Sequence, residues 1–282
     1  MIEGFIQSWE LFGHVYLTGW LIALALSLVG VLVVARDQIF LSAAVSQAST
    51  LGIALGMWAG ALITANTEAW LRSDGFLSVM AVVFAILAAV LTARDRGQGK
   101  ESAEAITGWV FLGSASASSL LLAHSPHGMA EIYRLLASTL IGVTRADLAV
   151  FAALLVITVS LLVFFHRALV LLSIDPSMAK AVGLRSGTWR LAMAGWLGLT
   201  AGLSMRASGM LYTFGCLVLP ALVAKSISRE IRSMFIVAPL IALAAGVLGF
   251  MLANEYDYPP AQVVIVLLSL MLAAAWFVRW LR

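Results

Sequence analysis

The chain has 282 residues, of which 62% are hydrophobic and 11% charged, with a formal net charge of +3. Soluble domains run near half apolar and a quarter charged, so a water-soluble fold is excluded and lipid must be the solvent for most of the surface. The small positive charge does not mark nucleic-acid binding, because the basic residues scatter at the ends of apolar segments, where membrane topology accounts for them. A membrane helix needs about 20 apolar residues, so the length allows about nine crossings with short loops and no separate soluble domain. Residues 1–282 therefore read as a single transmembrane domain.

At the N-terminus, Glu3 and Glu10 are the early charges, and neither a basic region nor a small-residue cleavage site marks a signal peptide. Ile2, Phe5, Ile6, Trp9 and Phe12 recur at helical spacing, which suits a short interfacial helix over 1–14. Nine apolar segments follow: 15–35, 39–64, 76–93, 105–123, 146–172, 189–205, 209–224, 231–253 and 261–280. The stretch 131–143 is too short to span and reads as a half-helix at the membrane edge or re-entrant. The fold class expected is an all-α polytopic bundle of about nine transmembrane helices, within a range of eight to ten.

Three segments carry unusual patterns. The second places Ala44, Ala48, Gly52, Gly56 and Gly60 on one face. Small residues let helix backbones approach closely in lipid, either against a neighbouring span or at a pore or dimer seam. The fourth carries Gly113, Ser114, Ser116, Ser118 and Ser119. The seventh is interrupted by Gly209, Gly215 and Pro220, and such breaks are tolerated at membrane depth only inside protein or beside a cavity. The lone Cys216 excludes an intrachain disulfide.

Of the 17 basic residues, all but Arg72, Arg134, Arg145 and Arg206 fall on one set of alternate loops. Basic residues are retained on the cytoplasmic side, which sets the N-terminus outside and the C-terminus inside. Glu68, Asp74, Glu255 and Asp257 then lie on the outer side.

The inner loop 173–184 carries helix punctuation. Asp175 suits an N-cap, Pro176 the first helical position and Gly183 the left-handed position after the end. A short helix between two spans follows, with Met178, Ala181, Val182 and Leu184 apolar where there is no lipid. It can fold onto its own protein or dock a soluble partner.

Chemistry-bearing residues are sparse. His124 and His127 with Glu131 have loose metal-like spacing, which a solvated turn at Pro126 equally explains. His166 beside Arg167 reads as interfacial, and Met205, Met210 and Cys216 read as packing before they read as soft donors. No Gly-rich lysine loop and no nucleophile–base set occur, so ATP hydrolysis and covalent chemistry are not expected of this chain.

Four pieces of the chain, in order, resemble the metal-type ABC importer permeases, the membrane subunits of bacterial zinc, manganese and iron uptake systems. They are Ala44-Val-Ser-Gln-Ala-Ser-Thr-Leu-Gly-Ile-Ala54; Tyr133-Arg-Leu-Leu-Ala with Gly142-Val-Thr-Arg-Ala-Asp-Leu148; the loop Ser173 to Leu184; and Gly209-Met-Leu with Cys216-Leu-Val-Leu-Pro-Ala-Leu222. The resemblance implies a non-catalytic permease in the bacterial inner membrane, dimeric with a second protomer, the same or different, around an axial pathway. It implies a cytoplasmic ATPase holding the ATP and Mg²⁺, with no cofactor on this chain, and an extracytoplasmic solute-binding protein. It implies that 174–184 is the coupling helix, with Asp175, Pro176, Met178, Ala179, Val182 and Gly183 at the ATPase. It implies further that Ala43, Ser46, Gln47, Thr50 and Pro220 line the pathway.

The resemblance breaks at one place. The family commonly carries Asp and His four residues apart in the second span, where both face the pathway and can share a divalent ion. Here those positions are Ala43 and Gln47. Alternatives are therefore a degenerate or regulatory subunit paired with a ligand-bearing permease, or an importer of a non-metal small molecule. A secondary transporter or channel is disfavoured, because no charged group sits near a span centre.

Overall fold

The computed structural model describes residues 2–62, 74–93, 102–123, 140 and 142–281. Among them are nine helices and no strand: α1 Ile2–Ala35, α2 Ile39–Leu62, α3 Asp74–Ala93, α4 Ala103–Ala123, α5 Arg145–Ile174, α6 Pro176–Ala181, α7 Ser186–Ile227, α8 Ile231–Tyr256 and α9 Pro260–Trp280. Eight of these are long and apolar enough to cross a membrane. With no water at membrane depth, the backbone must satisfy itself within each segment, which is why the apolar runs become helices. The protein is an all-α polytopic helical membrane protein.

The segments expected at 189–205 and 209–224 are both contained in α7. Its 42 residues would extend to about 60 Å if straight, twice the hydrocarbon core. Gly209 interrupts it with φ 73 and ψ 177, a conformation open only to glycine. The half-helix expected over 131–143 lies almost wholly outside the described residues, as do His124, His127 and Glu131. Of that segment, Val143 closes a turn by donating its N–H to the carbonyl of Leu140.

The helices form two compact units. The first comprises residues 1–38, 138–184 and 211–282. Here α1 packs on α5 and α8, and α8 packs on α9. Glycine sets the closeness: a Cβ on Gly19 would meet the Phe250 ring at 2.5 Å, and one on Gly249 would meet Val264 at 2.5 Å. Tyr212 donates its buried hydroxyl to the carbonyl of Gly19 at 2.9 Å, and Tyr16 donates to Asn254 Oδ1 at 3.1 Å. Such bonds satisfy polar atoms that lipid cannot.

α1 is hydrogen-bonded throughout but is not straight. Phe5 stacks on Tyr16 with ring centroids 4.8 Å apart, and Trp9 lies 5.9 Å from Trp20. Each pair is three helical turns apart, about 16 Å of straight helix, which is more than two aromatic side chains can bridge along the axis. The helix therefore bends between them, where the Trp9 indole lies over Gly13, and glycine is a common site of such bends. The separate interfacial helix expected over 1–14 is thus the bent first part of α1, its rings packed on the span that follows.

The second unit comprises residues 39–137 and 185–210. α2 packs between α3 and α4. The small-residue face of α2 meets α3: a Cβ on Gly52 would overlap the carbonyl of Met80, and one on Gly56 would meet Leu77 at 3.0 Å. The neighbouring-span explanation of that face is the one observed. Gly198 and Gly202 of α7 approach the Cα atoms of Ile86 and Val82 in the same way. Ile53, Ala54, Ala81, Leu122 and Met205 form the buried centre. Outward, Val79, Val83 and Leu87 of α3 and Trp109, Leu112 and Leu120 of α4 are exposed, as a lipid-facing surface requires.

Candidate functional site

The first candidate is the loop helix α6. Asp175 sits at its N-cap in extended conformation, and its Oδ1 accepts from the backbone N–H of Ser177 at 2.9 Å and of Met178 at 3.0 Å. Pro176 occupies the first turn, where no backbone donor is needed. The hydroxyl of Ser177 and the N–H of Met178 hold the Asp175 carboxyl below the usual carboxylate range. Gly183 closes the helix with φ 84, and Leu184 donates its N–H to Ala179 O at 3.0 Å. The punctuation expected from Asp175, Pro176 and Gly183 is present, although the helix spans only Pro176–Ala181.

α6 packs on the end of α5. Ala179 is 0% exposed, whereas Met178 is 57% and Val182 64% exposed. Of the residues expected at a partner, Met178 and Val182 are therefore available and Ala179 is not. Ile174, 64% exposed, adds to the apolar patch. Its position at the end of α5, before the cap, gave no sign of this in the sequence.

The second candidate is the middle of α2. Ala43, Ser46 and Thr50 are buried, and Gln47 is half-buried. Ser46 donates its hydroxyl to Ser42 O at 2.9 Å, and Thr50 donates to Ser46 O at 3.1 Å, so both bond back along their own helix. Gln47 Nε2 donates to the thioether sulfur of Met210 at 3.1 Å. Only the approach of α2 to α7 within the second unit reveals this pairing, since the two residues are remote in sequence. Pro220 is buried in the second half of α7, within the first unit.

Among the described residues, no three His, Cys, Asp or Glu side chains converge where a metal could be held. A third feature lies at the end of α1: Lys225 Nζ bonds Asp37 Oδ1 at 2.6 Å and Val34 O at 3.4 Å. Asp37 adopts φ 54 in the turn that follows. The loops carrying Arg36 and Lys225 thus share one side, as the distribution of basic residues requires.

A family model described as the ABC 3 transport family matches residues 8–279. The manganese import system permease protein ScaB of Streptococcus gordonii is 20% identical over 281 residues, covering 99% of this chain and 96% of that protein. The high-affinity zinc uptake system membrane protein ZnuB of Haemophilus influenzae is 22% identical over 263 residues, covering 93% and 95%. The fold is similar to that of PsaBC from Streptococcus pneumoniae in complex with Fab, with a TM-score of 0.81, 18% identity and coverage of 98% of this chain and 95% of that one. With nearly its whole length matched, this multi-pass membrane chain belongs to the ABC 3 transport family.

Proposed function

We propose that this chain is the membrane permease subunit of an inner-membrane ABC importer that moves a divalent metal, as the ion or as a complex. The observation that carries the reading is α6, a doubly capped helix between two spans that buries Ala179 and leaves Met178 and Val182 exposed. An apolar patch of this kind, outside the lipid, suits a soluble partner. In this reading the partner is a cytoplasmic ATPase that carries the ATP and Mg²⁺. A second permease protomer and an extracytoplasmic solute-binding protein complete the transporter. The relatives named for manganese and zinc uptake, together with a chelated iron transport system membrane protein, YfeD of Yersinia pestis, at 22% identity over 232 residues, support a metal cargo. The basic-residue asymmetry supports N-terminus out and C-terminus in, with α6 in the cytoplasm.

The test is purification from native membranes, followed by reconstitution into liposomes. The reading requires an ATPase to co-purify and ATP to drive uptake of radioactive manganese, zinc or iron. Absence of an ATPase from the purified complex, or ATP turnover without uptake of any of these metals, overturns it.

A further inference from the structure

The middle of α2 bears on the chemical form in which a metal would pass. From Leu41 to Thr50 every residue is buried except Gln47, which is half-buried. Ala43, one turn before it, offers no donor atom. The hydroxyl protons of Ser46 and Thr50 are taken by carbonyls of the same helix. The Gln47 amide is tethered through its nitrogen to Met210, which is itself packed against the core of Ile53, Ala54, Ala81, Leu122 and Met205. Its amide oxygen has no partner among the described residues; the only other polar groups of the stretch are neutral hydroxyls, of which Ser49 Oγ is buried without a partner.

A divalent cation leaves water only where anionic or multiple strong donors replace its hydration shell. One amide oxygen beside a thioether supplies neither, and no cluster of acidic, histidine or cysteine side chains accompanies it among the described residues. A complex whose own ligands already satisfy the metal makes no such demand. It needs only hydrogen-bonding groups, which a tethered carboxamide provides.

We infer that Gln47, positioned by Met210, is a specificity-determining residue that admits a ligand-saturated metal complex and discriminates against the bare hydrated dication. This rests on the permease reading with α2 along the transport path. The test uses the complete transporter in proteoliposomes, given radioactive zinc either as the ion alone or as its neutral bis-histidine complex at equal total zinc. Uptake from the complex exceeds uptake from the ion by about ten-fold or more, about 1.4 kcal/mol of discrimination. Gln47→Ala, which keeps the fold by trimming a half-buried side chain, brings the ratio toward one. Ala43→Asp combined with Gln47→His makes the purified permease bind zinc stoichiometrically, where the wild type does not. Equal uptake of both forms by the wild type, an unchanged ratio in Gln47→Ala, or tight zinc binding by the wild-type membrane region overturns the inference while the importer reading stands. Uptake of neither form, with the ATPase turning over, overturns the metal-import reading and this inference with it.

Discussion

Gly30 of α1 lies so close to Leu217 of α7 that a Cβ at position 30 would overlap the Leu217 carbonyl. The obstacle is backbone, which cannot rotate aside as a side chain can. Overpacking of a well-filled interior costs about 1–3 kcal/mol, and a fixed backbone atom places Gly30→Ala at the upper end or beyond. Gly113 of α4 has nothing within 4 Å of the corresponding position. Thermal unfolding in detergent should therefore show a clear loss for Gly30→Ala and little change for Gly113→Ala. Equal melting temperatures for the two variants would mean that α1 and α7 are not packed this closely.

The caps of α6 can be tested separately from any partner. Asp175→Ala removes the acceptor for two backbone donors and should lower local stability, whereas Asp175→Asn keeps an N-cap oxygen. Amide exchange of residues 177–184 reads this directly, with faster exchange in the alanine variant alone. The sign with pH follows from the depressed carboxyl. The capping stability is fully present above the unfolded value near 3.8, and is lost as pH falls through the lower folded value. Protection of α6, corrected for intrinsic exchange, should be flat from about pH 5 to 8. A fall in protection within that window would exclude the ionised cap as its source.

Much of this architecture is legible in the amino-acid order, for a physical reason. Span positions depend on local apolar length, and α6 depends on Asp175, Pro176 and Gly183, each acting within a few residues. The burial of Ala179 and the pairing of Gln47 with Met210 are different in kind. Both depend on where a remote or neighbouring helix happens to pack, and no local pattern encodes that. The bend of α1 is intermediate. Phe5, Trp9 and Phe12 announce an amphipathic segment, but only the stacking of Phe5 on Tyr16 shows that it turns onto the first span.

Exposure separates two roles within α6. Met178→Glu or Val182→Glu places a charge on the exposed patch, so it should weaken ATPase association and uncouple hydrolysis from transport without changing the permease melting temperature. Ala179→Leu instead forces bulk into a position with no exposure, so it should loosen α6 itself and show faster amide exchange there even in the isolated permease. Pull-down with the ATPase, run beside exchange on the permease alone, distinguishes the two. Unimpaired ATPase association in both glutamate variants would remove α6 as the docking element.

The topology can be tested without first removing the native cysteine. Cys216 is buried, so the wild-type protein should serve as its own unlabelled blank toward membrane-impermeant thiol reagents. Thr188, after α6, and Tyr258, in the turn between α8 and α9, are both exposed, the latter at 60%. Retention of the basic loops in the cytoplasm puts Thr188 inside and Tyr258 outside. In intact cells whose outer envelope admits the reagent, Tyr258→Cys should label at once and Thr188→Cys only after the membrane is opened. The contrast is decisive because an even number of crossings between the two positions would place both on one side. The crossings expected at 189–205, at 209–224 and in α8 make three, an odd count. Labelling of both sites from outside would show that α7 does not return across the membrane at Gly209, and the inward placement of α6 would fall with it.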